Sequence, residues 1–106
     1  MGGVAEREAR LLAAIYRTYG LAADWAPVGG GVVLHPTVRL VVEDVEVGYG
    51  DSFDIQRRTV VYVRLSEVPR ATAGASVTIG ASTYTVIAQP KLEKIGLEWL
   101  CEVSEV

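Results

Sequence analysis

The sequence predicts a mainly β fold, an antiparallel sandwich or barrel of about six or seven strands with one α-helix in front of it. From Leu21 onward, apolar and polar residues alternate with a period of two, and turns rich in Gly or Pro separate the segments at intervals of roughly ten residues. The regular alternation of helices and strands that marks an α/β fold is missing. These observations favour strands that each bury one side against a shared core.

The helix is predicted at the N-terminus, from Val4 to Tyr19, because this stretch lacks Gly and Pro and is rich in Ala, Leu, Glu and Arg. Its apolar residues recur at spacings of three and four and form one stripe: Leu12, Ile15, Tyr16 and Tyr19. Gly20 follows directly, and we expect it to end the helix in the left-handed conformation. So short a helix needs a docking surface, either its own sheet or a neighbouring subunit.

The first predicted strands are irregular. Ala22 to Ala26 is expected to form a short strand around Trp25. In the segment Thr37 to Val47 the apolar phase slips by one residue, which predicts either a bulge near Glu43 and Asp44 or two strands with a bend between them.

The next predicted strand is long and half-buried, and it follows a turn at Gly48 to Asp51. Its residues of one parity are apolar and are expected to face the core: Phe53, Ile55, Val61, Val63 and Leu65. Ser76 to Ile79 and Thr83 to Gln89 are then expected to pair as a hairpin.

The C-terminal part is predicted to contain one connection and one strand. The connection runs from Pro90 to Gly96 and carries Lys94, and the strand runs from Leu97 to Val103. Within that strand, Cys101 is expected to face inward and Glu98 outward.

Length and charge narrow the class of protein. A chain of 106 residues fits a single domain, with the helix in residues 1–20 and the β-rich part in residues 21–106. The formal net charge is −3, and the basic residues form no stripe of the kind that holds phosphates, so tight nucleic-acid binding is not expected. No segment approaches the ~20 apolar residues of a membrane span, and the N-terminus has no basic-then-apolar leader, so we expect synthesis in the cytoplasm.

The residues show no catalytic or metal-binding constellation, and we predict neither an enzyme nor a bound cofactor. His35 is the only histidine and Cys101 the only cysteine, which leaves no Ser-His-Asp or Cys-His system and too few ligands for zinc. Cys101 is interpreted as a small core residue. The carboxylates of Glu43, Asp44 and Glu46 are interpreted as a solvated strand edge rather than a divalent-cation site.

A protein without a reactive site acts through its contact surfaces, and several residues are candidates for such contacts. Trp25 belongs either to the core or to an interface, where Trp is enriched. The other candidates come from the flexible Gly-rich loop and from the turn and strand around position 50: Val28, Gly29, Gly30, Gly31, Val32, Tyr49, Asp51, Arg57 and Arg58.

Two segments of the C-terminal third carry a family pattern. The first is Gly74-Ala75-Ser76-Val77-Thr78-Ile79-Gly80-Ala81-Ser82-Thr83-Tyr84-Thr85-Val86. The second runs from Pro90 through Gly96-Leu97-Glu98-Trp99-Leu100. Together they resemble the head–tail joining (tail attachment, or neck) proteins of lambda-like tailed phages, with their alternating strand, Gly turn, Thr-Tyr-x-Val and final Gly-Leu strand. One departure is Ala75-Ser76, where many relatives carry Asp after the Gly.

This resemblance implies a β-sandwich subunit that assembles with copies of itself into a ring, a hexamer, below the portal and its adaptor. It further implies that the ring completes the DNA-filled head and contacts tail terminator or tail tube proteins. DNA would pass through without specific binding. The subunit would reside in the virion neck after a period in the host cytoplasm, and a prophage or gene transfer agent would use the same part.

A second function is compatible with the residues: a free-standing β-barrel module that binds a peptide or a small ligand. Such a module needs a concave apolar pocket with a few convergent polar groups. The side chains of Trp25, Tyr49 and Phe53 could line one.

Overall fold

The computed structural model describes residues 3–93 and 96–106, without the side chains of Ala5 and Tyr49. Within these residues one helix precedes eight strands. In chain order the elements are α1 (Val4–Tyr19), β1 (Leu21–Ala22), β2 (Asp24–Ala26), β3 (Thr37–Tyr49), β4 (Ser52–Arg64), β5 (Ser76–Ile79), β6 (Ser82–Val86), β7 (Lys91–Glu93) and β8 (Glu98–Glu105).

The strands form one antiparallel sheet in the order β1-β3-β4-β8-β6-β5-β2, and β7 also pairs with β8. The strands at the two ends of this order, β1 and β2, are consecutive in the chain and are separated only by Ala23. The sheet must therefore curl until its edges approach each other, although it does not close into a barrel. The prediction of a mainly β fold with one N-terminal helix is confirmed.

One face of the curled sheet carries the hydrophobic core. The core combines side chains from six strands, from the loop after β4 and from Ala23 between β1 and β2: Ala23, Trp25, Val38, Val61, Val63, Val68, Ala71, Ala75, Val77, Tyr84, Val86, Cys101 and Val103. Each fully buried valine contributes roughly 1.5–3 kcal/mol relative to an exposed one. Cys101 lies in this core with no exposed surface, as its alternating strand predicts.

The helix has the predicted bounds and packs on the other face of the sheet. Leu12 and Tyr16 are its buried side chains, and the Arg39 guanidinium of β3 lies 5.4 Å from the centre of the Tyr16 ring. Because successive strand residues face opposite sides and Val38 points into the core, Arg39 and the helix lie on the face away from the core. The helix thus makes a second layer over β3.

Gly20 ends the helix for a different reason from the one predicted. Its backbone is extended, with φ −74° and ψ 149°, so the expected left-handed conformation is wrong. Its N–H donates to the Tyr16 carbonyl oxygen at 2.8 Å, and a Cβ at this position would collide with that oxygen and with Cγ2 of Thr37. Glycine is required here because the helix end approaches β3 too closely for a side chain.

Strands β3 and β4 form one long hairpin that turns at Gly50 and Asp51 and keeps an unbroken register. The predicted bulge near Glu43 and Asp44 is therefore wrong. Val45 lies on the opposite face from the even-numbered apolar residues of β3 without any extra residue in the strand.

Elsewhere the predicted elements are present with shifted limits. The hairpin of β5 and β6 is confirmed, and its turn places Gly80 at φ 61°. The strand predicted at Ala22 to Ala26 is divided, because β1 pairs with β3 while β2 pairs with β5. The connection predicted from Pro90 to Gly96 contains β7, and Lys94 lies outside the described residues.

Candidate assembly surface

Half of the β3–β4 hairpin projects from the rest of the sheet. Strand β8 pairs with β4 only along Thr59–Arg64, and β1 pairs only with the first two residues of β3. Residues 43–58, which we call the arm, therefore pair in the described structure only with each other. At about 3.3 Å per residue the arm extends roughly 25 Å, in a molecule whose longest dimension is 50 Å.

The arm exposes large apolar side chains. Phe53 and Ile55 are 68% and 66% exposed, and Val42 at the base of the arm is 57% exposed. These three residues share one face of the ribbon. The prediction that Phe53 and Ile55 face the core is wrong, because the core ends where β8 stops pairing with β4. Apolar side chains held out on an isolated two-stranded ribbon are typical of a surface that becomes covered on assembly.

Two cross-strand ion pairs hold the base of the arm, one on each face. Arg57 Nε lies 3.3 Å from Oδ1 of Asp44, with both side chains exposed. Arg58 Nε donates to Oε1 of Glu43 at 2.7 Å, and this pair is half-buried. Both predicted arginines are thus occupied within the subunit, so they shape the ribbon more than they offer free charge to a partner. Asp51, in the turn at the tip, is exposed.

The predicted Gly-rich loop lies at the other end of β3. Val32 is 79% and Val28 55% exposed, and the three glycines between them have positive φ values of 78°, 91° and 120°. The loop precedes β3 whereas the arm tip follows it, so the two regions are roughly 40 Å apart along the strand. The candidate residues therefore form two separate surfaces. The side chain of Tyr49 lies outside the described part of the chain.

Trp25, the remaining candidate, lies in the core. It is 1% exposed, and its backbone N–H and carbonyl pair with Leu34 at 2.8 and 2.9 Å. Its side chain is therefore inaccessible to a second subunit in this fold. Of the two predicted locations of Trp25, the core and an interface, the structure shows the core. Trp99 packs beside the same core and donates its indole N–H to the Val68 carbonyl at 2.8 Å.

A buried polar cluster fixes the helix to the sheet. Glu98, in the first position of β8, has no exposed surface, and its Oε2 accepts a 2.6 Å hydrogen bond from the Tyr16 hydroxyl. The same oxygen accepts a 3.0 Å bond from Nη2 of Arg39. The prediction that Glu98 faces outward to solvent is wrong, because α1 covers that face of the sheet.

Cations also stack on the rings in this cluster. The Arg39 guanidinium lies 4.6 Å from the centre of the Tyr62 ring, and that of Arg64 lies 4.7 Å from the Tyr16 ring. Burial, and then the neighbouring Glu98 carboxylate, raise the pKa of Tyr16 far above its ordinary value, so its hydroxyl remains a donor. The alternating pattern of β8 gave no sign of this cluster, since only its partners on α1 and β3 reveal it.

Comparison with protein families decides what this architecture belongs to. The sequence profile described as phage head-tail attachment protein matches residues 5–103. The chain belongs to this family. A search of curated proteins found no match. Membership in the head-tail attachment family confirms the resemblance noted in the sequence and assigns the chain a structural role in the phage neck.

Among residues 3–93 and 96–106 no three His, Cys, Asp or Glu side chains are grouped so as to hold a metal ion. Burial raises the pKa of the Cys101 thiol to about 12, which removes it as a nucleophile near neutral pH. No helix in the part of the chain that the structure describes has the length and apolar character needed to cross a bilayer.

Of the residues suggested for a ligand pocket, Trp25 and Phe53 do not come together. Trp25 is in the core and Phe53 is on the arm. A cavity of about 380 Å³ lies instead beside β1 and β2 and is lined in part by Asp24 and His35, whose side chains are exposed and lie 2.8 Å apart. This concavity lacks the apolar lining expected of a small-molecule site.

Proposed function

We propose that this protein is a ring-forming subunit of the phage neck, in which a hexamer of the chain joins the DNA-filled head to the tail. The observation that carries the proposal is the arm, which projects from the sheet with Phe53 and Ile55 exposed at its outer half. An arm of this kind gains stability only when another molecule covers it.

The geometry supports a ring rather than a symmetric pair. A ring forms when one patch of each subunit contacts a different patch of the next and the rotation closes. The arm lies at one end of β3 and the loop of residues 27–33 lies at the other. These separated surfaces supply the two unlike patches that a ring needs, with the loop residues Val28 to Val32 and the tip residue Asp51 as further contacts.

The partners follow from the position in the neck. We infer that one side of the ring meets the portal and its adaptor and that the other meets tail terminator or tail tube proteins. The subunit is then present in the host cytoplasm before assembly and in the virion afterwards. A net charge of −3 suits a channel through which DNA slides. Such a subunit neutralises few phosphates, so few counterions leave the DNA and little binding energy is gained.

A joining assay tests the proposal. Purified protein is added to heads that lack it and to separated tails, and joined particles are counted by electron microscopy and by infectious titre. We expect joining to require the protein and to saturate at a fixed number of copies per head, with the mass of the isolated neck giving the ring size. Efficient joining without the protein, or a neck that holds a single copy, would contradict the ring.

Duplex DNA retention is measured on the same ring. We expect no retention at physiological salt, and strong salt-sensitive binding would contradict free passage of DNA.

A further inference from the structure

The net charge of the subunit is concentrated at the tip of the arm. The tip, residues 45–56, contains Glu46, Asp51 and Asp54 but no Lys or Arg, so its formal charge is −3. The whole chain has 10 basic and 13 acidic residues, so the charges of all other residues balance. Glu46 lies on the apolar face of the tip, because it is paired with Ile55 across the ribbon.

The outer surface of α1 carries the opposite charge. At 100° per residue, Arg7, Arg10 and Arg17 lie within one sector of about 80° on the side of the helix away from the sheet. All three side chains are exposed. The glutamates of the helix, Glu6 and Glu8, lie on the two sides of this sector. The sector therefore forms a basic face.

Neither set of charges is neutralised within its own subunit. Among the described residues, the arginines of α1 and the carboxylates of the tip form no ion pair. Oδ1 of Asp54 accepts a 2.9 Å hydrogen bond from the backbone N–H of Ile55, whereas Glu46 and Asp51 are exposed. Both charged surfaces are thus free to meet an oppositely charged partner.

Apolar side chains accompany the charges at both places. Val4 and Leu11 are 64% and 53% exposed, and they neighbour Arg7 on the helix surface at spacings of three and four. Phe53 and Ile55 are the corresponding exposed side chains on the tip. A contact between tip and helix would cover both apolar groups and bring opposite charges together, which is the complementarity that orients a specific interface.

The tip and the helix of one subunit are too far apart to meet. Phe53 and Arg64 lie at the two ends of β4, roughly 37 Å apart at about 3.4 Å per residue. The Arg64 guanidinium stacks on the Tyr16 ring of α1, so the helix is at the far end of the strand from the tip. Two tips would repel each other, since both are acidic. Contact of a tip with a helix attracts, and it joins unlike patches as a ring requires.

We propose that the tip of one subunit docks on the outer face of α1 in a second copy of this chain, and that this contact links the neck ring. The inference rests on the ring proposed above and names its contacts. The contact places apolar against apolar and acidic against basic side chains. Its members are Glu46, Asp51, Phe53 and Ile55 on the tip and Val4, Arg7, Arg10 and Leu11 on the helix.

A charge exchange tests which molecule covers the helix. Arg7→Glu, Arg10→Glu reverses the helix face, and Glu46→Lys, Asp51→Lys reverses the tip. We expect each double variant to reduce tail joining by about tenfold or more, because like charges then meet. The variant with all four changes should join within about threefold of the unaltered protein, since opposite charges face each other again. Unreduced joining by the double variants, or no recovery in the combined variant, would overturn the inference.

The matched control alters charge elsewhere. Arg70→Glu, Lys91→Glu makes the same change of net charge as the helix variant, at exposed side chains outside the helix and the arm. We expect it to join like the unaltered protein. A loss equal to that of the helix variant would show that joining responds to net charge alone and would refute the contact.

A cross-link keeps the test valid if a reversed variant misfolds. Assembled particles containing the Asp51→Cys, Arg10→Cys double variant are oxidised, with Asp51→Cys, Arg70→Cys as the control. We expect a ladder of linked subunits only for the first pair. Joined particles without that ladder would refute the contact of tip and helix and leave the ring standing, whereas no joining by the unaltered protein would refute the ring itself.

Discussion

The hydroxyl of Tyr16 donates a 2.6 Å hydrogen bond to the buried carboxylate of Glu98, 82 positions further along the chain. This contact ties the first element of the fold to the last strand. Because Glu98 has no exposed surface, it depends on protein donors for the hydrogen bonds that water would otherwise supply. The helix is therefore held by a specific polar contact as well as by the burial of Leu12.

Removing the Tyr16 hydroxyl should loosen the helix. Tyr16→Phe leaves the carboxylate of Glu98 with Arg39 as its remaining donor, and we expect the free energy of unfolding to fall by about 1.5–3 kcal/mol. Tyr19→Phe is the control, because Tyr19 is 71% exposed and should change stability by less than about 0.5 kcal/mol. Urea denaturation measures both, and equal stability of the two variants would show that the hydrogen bond contributes nothing.

Removing the carboxylate should cost more than removing the hydroxyl. Glu98→Ala leaves the partly buried Arg39 without its counterion, and we expect the free energy of unfolding to fall by about 3–5 kcal/mol. Glu102→Ala, on the same face of β8, should cost less than about 1 kcal/mol. A double variant with Tyr16→Phe should lose less than the sum of the two single losses, and strict additivity would argue against a coupled cluster.

Adding one methyl group at Gly20 tests the close approach of the helix to β3. Gly20→Ala places a Cβ against the Tyr16 carbonyl and Thr37. Because the helix end must move away from β3, we expect the free energy of unfolding to fall by about 1–3 kcal/mol. Gly48→Ala is matched, since a Cβ there meets nothing within 4 Å, and it should be neutral. Thermal unfolding compares them, and a stabilised Gly20→Ala variant would contradict the steric reason for glycine.

The buried thiol of Cys101 predicts a loss of stability in mild alkali. Its pKa rises from 9.0 to about 12 on folding, so above pH 9 the unfolded thiol ionises while the folded one stays protonated. The contribution of the protonated thiol to the free energy of unfolding is complete below pH 9 and is lost as the pH rises towards 12. Between pH 8 and pH 10 we expect the free energy of unfolding of the unaltered protein to fall by about 1.4 kcal/mol more than that of Cys101→Ala, as measured by urea denaturation. Parallel pH profiles of the two proteins would contradict burial of the thiol.

Shortening the arm should separate stability from assembly. Replacing residues 45–56 by Asn-Gly joins the paired residues Asp44 and Arg57 through a two-residue turn. The change removes no core residue, so the free energy of unfolding should change by less than about 1 kcal/mol. Tail joining should be abolished, since Phe53 and Ile55 are lost with the arm. The control is Ile87→Ser, which removes an exposed apolar side chain outside the arm and should still join. A shortened protein that joins tails normally would show that assembly does not use the arm.

Local patterns settled much of the fold. The unbroken helix-favouring run fixed α1 from Val4 to Tyr19, and the Gly80 turn between two alternating segments fixed the β5–β6 hairpin. The burial of Cys101 followed from the period of two in its strand. Such features depend on neighbours within a few residues, and propensity and spacing report those directly.

The sequence by itself determined the class of fold, the helix and the family resemblance, because these are written in short-range order. Only the tertiary structure decided that Glu98 is buried and that Phe53 is exposed. Both residues sit in alternating strands, and alternation says which residues share a face but not whether that face is covered. The helix packs over one face of the sheet and buries Glu98, whereas β8 ends before it can cover the strand around Phe53. Long-range packing therefore reversed both predictions that the local pattern had made.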